Sequence, residues 1–168
     1  MLVSNLGLIA FTITMMLTAI WDARTLRIPH RLNFATATIF IITAALSNMP
    51  AGVLLQHIIF ALALFIFFFV ASEFFMIGGG DIWLSAAIGL WIGDVNGVLA
   101  WSVYSTLIAS ILIVTAYVIR QSPLRHSFMA LEIPKWAEDI IDDEKSFRKA
   151  TIPYGVPLAL GAICWAWL

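Results

Sequence analysis

Residues 76–84 read Met76-Ile77-Gly78-Gly79-Gly80-Asp81-Ile82-Trp83-Leu84, an acid behind three glycines with apolar sequence on both sides. A carboxylate at membrane depth is costly. It is held there facing the protein interior or a water-filled cavity, which makes it a functional candidate. Outward from this run, apolar stretches extend over 2–21, 32–49, 52–76, 82–93, 98–119 and 151–168. They predict an all-α integral membrane protein with six transmembrane helices, the glycine–acid loop opening the fourth. A second acid, Asp22, closes the first stretch in Ile20-Trp21-Asp22-Ala23-Arg24.

Composition supports a membrane class. Of 168 residues, 62% are hydrophobic and 11% charged, and mean hydropathy is +0.98. A soluble domain carries roughly a quarter charged residues. All nine Lys and Arg fall into two segments, one holding Arg24, Arg27 and Arg31 and the other running from Arg120 to Lys149. Cytoplasmic loops collect basic residues, so both segments are expected inside. The first apolar stretch has no basic residue before it and is about as long as a membrane span requires, so it reads as a retained helix.

With the 22–31 connection inside, successive turns alternate. The turn at 47–51 falls outside, 78–81 inside, 93–97 outside and 120–150 inside, which brings Asp22 and Asp81 to one face. The fourth span is short. From Asp81 to Asp94 a helix rises about 20 Å against a hydrocarbon core of about 30 Å, which puts Asp81 in a recess open to the cytoplasm. Gly78, Gly79 and Gly80 are expected to make the break, since glycine accepts positive φ and close approach. The 120–150 segment mixes both charge signs with Ile133, Trp136 and Ile140, and reads either as a surface helix or as a solvated loop. The whole chain, 1–168, reads as one membrane-embedded domain.

Cys164 stands alone, and His30, His57 and His126 lack metal-ligand spacing. No metal, no cofactor and no nucleic-acid partner is expected. Serines and threonines are common, but no histidine–acid pairing accompanies them. Two nearby carboxylates in a desolvated site share one proton. The charged member takes a proton from water, and the neutral one protonates the substrate oxygen or leaving nitrogen. Peptide hydrolysis needs both roles, so Asp22 and Asp81 are the candidate catalytic pair of an intramembrane aspartic endopeptidase. Asp81 is also suited to N-cap the following helix. Glu73, in the third span and expected to face the bundle, is a rival acid. A transporter or channel using Asp22, Glu73 and Asp81 as an ion path is the alternative; the single glycine break, with no inverted counterpart, argues against it. Asp94 and Asn96 flank an outer turn.

Three motifs in order carry a family resemblance. Gly78-Gly79-Gly80-Asp81 matches the GxGD signature, and residues Asp22 to Leu32 resemble the D-x-R-x-x-x-I-P-N-x-L segment of prepilin peptidases. Ile152-Pro153-Tyr154-Gly155 through Gly161 resembles their closing I-P-Y-G-x-x-x-A-x-G helix. The chain is most similar to the short TadV/CpaA-type members of tight-adherence (Flp) pilus systems. The resemblance implies Asp22 and Asp81 as catalytic residues, with Pro29, Gly78, Gly80, Pro153 and Gly155 as loop and substrate-side positions. It implies a type IV prepilin or pseudopilin substrate, cut at the cytoplasmic face of a bacterial inner membrane, with the lipid bilayer and the pilus-assembly machinery as partners. Longer relatives carry paired cysteines and a region associated with N-methylation; a peptidase without methyltransferase activity is expected. His30 stands where Asn is usual, and Trp83 where Lys is common, which removes a cation beside Asp81 and keeps a non-catalytic assembly subunit in view.

Overall fold

The structure, a computed structural model, describes residues 2–75, 77–122, 133–141 and 152–168. Among these residues seven helices occur in chain order: α1 (Leu2–Thr25), α2 (His30–Leu46), α3 (Ala51–Ser72), α4 (Gly79–Ile92), α5 (Val95–Gln121), α6 (Lys135–Ile141) and α7 (Gly155–Trp167). No strand occurs among the described residues.

Local chemistry sets the boundaries. Pro29 and Pro50 occupy the N-cap positions of α2 and α3 in extended conformation, where their fixed φ ends the incoming chain and their carbonyls start the next helix. Asp94 caps α5, its Oδ1 accepting from the Gly97 N–H at 2.8 Å. Gly93 ends α4 with φ of 69°, the left-handed stop that glycine accepts without penalty.

The short helix α4 is the centre of the bundle. Leu84, Ser85 and Ile88 are fully buried, and Ala87, Gly89, Trp91 and Ile92 nearly so. It packs on α3, α2 and α7, while α1 packs on α7 and α2, and α5 on α7. Small residues let the backbones close up. A Cβ on Gly89 would lie 3.0 Å from the Phe60 carbonyl oxygen. Indole N–H groups tie neighbouring helices: Trp91 donates to the Thr36 carbonyl (3.1 Å) and Trp101 to the Leu158 carbonyl (3.0 Å). His57 Nδ1–H donates to the Leu90 carbonyl at 2.8 Å, satisfying an acceptor in the last turn of α4.

Three helical stretches, Asn5–Thr25, Ala51–Ser72 and Val95–Gln121, are long and apolar enough to cross a membrane; α2, α4 and α7 are apolar but shorter. The apolar surface faces outward, as with Leu62, Ile66, Phe67 and Val70 on α3 and Leu99, Val103, Leu107 and Ile111 on α5. Such a surface is stable only against lipid or protein. The chain is a helical membrane protein.

Two expectations change. Helix α1 continues to Thr25, so Asp22 belongs to its last turn and the connection to α2 shortens to residues 26–29. Within the expected 120–150 segment, α5 runs on to Gln121 and α6 forms over 135–141, packing on α5. Residues 123–132 and 142–151, with His126 among them, lie outside the described residues.

Gly89→Val is expected to lower the unfolding free energy by about 1 to 3 kcal/mol through overpacking. Gly52→Ala, whose Cβ would meet nothing within 4 Å, should change it by no more than about 1 kcal/mol. Denaturant titration in micelles, followed by tryptophan fluorescence, checks both.

Candidate active site

Helix α1 turns one stripe inward. Phe11, Met15 and Thr18 are fully shielded and Asp22, four residues further, is 4% exposed. The spacing is that of a helix face directed at a core, so Asp22 is buried by helical periodicity, while neighbouring Trp21 and Arg24 are exposed. The Asp22 carbonyl accepts from the Leu26 N–H at 2.8 Å. Leu26 has φ of 53°, the left-handed helix terminator more often supplied by glycine, at a cost of about 1–2 kcal/mol for a residue with a side chain. The reversal turns Arg27 and Ile28 back toward Asp22. Trp136 of α6 donates its indole N–H to the Ala23 carbonyl, one of the acceptors left open at the end of α1.

Asp81 comes from the other side. Gly78 is the N-cap of α4 and Asp81 stands in its first turn, its N–H bonded to the Gly78 carbonyl at 3.0 Å. The side chain reaches back to the Gly78 amide, in the manner of a capping box. The expectation that Asp81 is itself the N-cap is therefore corrected, because the helix begins two residues before it. Gly78 has φ of −69°, and Gly93 is the one described glycine with positive φ. The glycine run is therefore needed for room, not for left-handed backbone. A Cβ on Gly80 would lie 2.9 Å from Ile28 Cβ and 3.1 Å from the Ile28 carbonyl oxygen, and one on Gly78 would lie 3.1 Å from Asp81 Oδ2. At Gly79 it would meet nothing within 4 Å.

The closing helix completes the enclosure. Pro153 is fully buried, and Gly155 opens α7 so close to Asp22 that a Cβ would lie 2.8 Å from Asp22 Oδ2 and 2.6 Å from Ile28 Cδ1. The Gly155 and Val156 amides face the Asp22 carboxylate. Two helix N-termini, of α4 and α7, thus point at the acids, and such ends favour negative charge.

Asp22 and Asp81 line one recess of about 240 Å³, with Arg27, Ile28 and the Gly78–Gly80 turn in its wall. Asp22 Oδ2 is buried there without a hydrogen-bond partner. The expected site residues are brought together here except Pro29, the N-cap of α2, and Pro153, which is buried two positions before Gly155. Glu73 is not among them. It is the exposed C-cap residue of α3, so the expectation that it faces the bundle is corrected; α3 ends before it, and its side chain points away from the packed face. Trp83 is 44% exposed and leaves the recess for a ring cluster with Phe65, Phe34 and His30, its contact with His30 edge-on at 6.3 Å. The two unusual residues of the motifs therefore meet through their rings. No group of His, Cys, Asp and Glu suited to a metal ion occurs among the described residues.

Three residues at the site escaped sequence reading: Leu26, Trp136 and Asn33. Asn33 is 4% exposed and donates from Nδ2 to the Gly80 carbonyl at 3.3 Å. Its signal was available, since Asn33, Thr36, Phe40 and Ala44 form one inward helical stripe led by a polar residue.

An apolar helical bundle with two acids converging on one recess defines a class of membrane proteins with an acidic site. The model of the type IV leader peptidase family matches residues 9–119, well over half the chain and including both acids. The chain belongs to that family, which is a family of proteases. No curated protein and no solved structure matches it.

The glycines give a graded test. Gly79→Ala is expected to keep near wild-type cleavage of a prepilin, Gly155→Ala to lose at least tenfold by displacing Asp22, and Gly80→Val to be inactive yet inserted in the membrane. Cleavage at matched enzyme levels, with membrane fractionation of each variant, checks the order.

Proposed function

We propose that this chain is an aspartic endopeptidase that removes the leader from type IV prepilins or pseudopilins, with Asp22 and Asp81 as its catalytic pair. The observation that carries the reading is that both carboxylates line a single recess although 59 positions separate them in the chain. Confined together, the two acids share a proton. The ionised member draws a proton from the attacking water while the neutral member donates its own to the carbonyl oxygen. As the tetrahedral adduct collapses, the first passes the water proton to the leaving nitrogen and the second takes a proton back from the gem-diol hydroxyl, which restores the shared proton. The amides at the N-termini of α4 and α7 supply the positive field that a single carboxylate charge requires. An extended substrate strand passes along the Gly78–Gly80 turn, where Gly79 leaves open space beside the backbone.

The reading includes six membrane crossings, with α2, α4 and α7 as the shorter ones and α4 shielded at the centre of the bundle. The recess faces the cytoplasm of a bacterial inner membrane, and one domain carries cleavage without methyl transfer. Flp-type pilins of tight-adherence systems are the proposed substrates, on the three motifs alone. An ion path through Asp22, Glu73 and Asp81 is disfavoured because Glu73 is exposed at the end of α3, away from the recess.

Two experiments test the proposal. Asp22→Asn and Asp81→Asn, which keep size and polarity but cannot cycle a proton, are each expected to abolish leader removal from a co-expressed Flp-type prepilin. Processing by either at near wild-type level removes that residue from the pair. For orientation, Arg27→Cys in a Cys164→Ser background is expected to resist an impermeant thiol reagent in intact cells and to react in opened ones. Labelling from outside would reverse the sidedness.

A further inference from the structure

We infer that Asn33 is a positioning residue that fixes the distance between the two acids by clamping the first turn of α4. The inference rests on the proposed role of Asp22 and Asp81 and identifies what holds them in register. The turn that carries Asp81 is three glycines long. Glycine gives little conformational restraint, and a Cβ on Gly79 would meet nothing within 4 Å. Two contacts from outside the turn restrain it, both at Gly80: the Ile28 backbone lies against its Cα, and the Asn33 amide donates to its carbonyl. Ile28 and Asn33 belong to one short stretch that leaves Asp22 and opens α2. A closed path therefore runs from Asp22 through the Leu26 turn to Ile28 and Asn33, across to Gly80, and on to Asp81.

The chemistry of the side chain points the same way. Asn33 is almost wholly buried, and its Oδ1 has no partner. A buried unpaired acceptor is destabilising, so an apolar group of similar size that removes it offsets the loss of the one hydrogen bond to Gly80. Packing alone therefore gives no reason for asparagine here. Its amide supplies one thing an apolar residue cannot, a donor to the Gly80 carbonyl, and that bond acts on the turn bearing the acid. A displacement of the order of 1 Å at a reacting group costs roughly a hundredfold in rate.

The test uses the full-length protein in lipid nanodiscs, with Asn33→Leu, Asn33→Gln, wild type and an Asp81→Asn blank. Steady-state cleavage of a fluorescent peptide spanning a prepilin leader junction gives kcat and KM. Thermal unfolding gives stability, and hydrogen–deuterium exchange reads the peptide covering residues 78–84. Asn33→Leu is expected to unfold within a few degrees of the wild-type temperature and to lose ten- to a hundredfold in kcat. KM should stay within threefold, and exchange should rise in 78–84 but not elsewhere. Asn33→Gln, which restores a donor on a longer arm, should recover part of kcat and of the protection.

A kcat for Asn33→Leu equal to wild type overturns the inference. So does a loss of rate that merely follows a loss of stability, or a change confined to KM. If wild type itself cleaves no better than the Asp81→Asn blank, the proposed function fails and exchange alone decides the clamp: unchanged protection at 78–84 in Asn33→Leu then refutes it.

Discussion

The backbones of Ile28 and Gly80 pass so closely that a Cβ on Gly80 would crowd the Ile28 nitrogen, Cβ and carbonyl oxygen together, all within 3.3 Å. This crossing joins the segment that leaves Asp22 to the turn that begins α4, and the geometry of the recess depends on it. Only a residue without a side chain fits, so the glycine is required by a contact formed over 52 positions of chain. Around the crossing the other parts fall into place. Leu26 reverses the chain at the end of α1, Gly155 brings the start of α7 against Asp22, and α4 is buried in the centre of the bundle.

The length of α4 follows from the same constraint. A helix of 14 residues is about 21 Å long, too short to reach both edges of a bilayer core of about 30 Å. It is shielded by α2, α3 and α7, which spares its exposed first amides a contact with lipid. Those amides face inward to the acids instead. The same shortness that looks unfavourable for a membrane helix places an N-terminus, with its partial positive charge, inside the bundle beside two carboxylates. Tryptophans hold the surrounding helices by donating to carbonyls on their neighbours, and Trp136 does so at the turn of α1 that carries Asp22.

Much of this was legible in the sequence because it is local. Apolar run length gave the helices, the acid in an apolar context gave Asp81, and the sequence Asp22 to Leu32 gave the second acid. The reason for the glycines was legible only in part, since close approach was expected beside positive φ but not where it would fall. Positive φ is a property of one residue and is easily invoked, whereas the close approach at Gly80 depends on where Ile28 arrives in space. Asn33 escaped for a related reason. A polar residue near the start of an apolar helix is ordinarily exposed, and only the packing of α2 on α4 buries it against Gly80. Glu73 was misjudged in the opposite sense: its place at the edge of an apolar run suggested a buried acid, but α3 ends one residue earlier and leaves it exposed. Trp83 and His30, separate oddities in the sequence, form one ring contact in the fold.

The central claim is that Asp22 and Asp81 act as one unit in this recess. A double-mutant cycle measures that directly, comparing residual single-turnover cleavage of a prepilin by Asp22→Asn, Asp81→Asn and the doubly substituted protein at matched folded concentrations. Residues that act together show losses that do not add. The account predicts that the double variant is no slower than the worse single variant, within about a factor of three. Losses that multiply would contradict it, because they would mean that each acid contributes independently of the other.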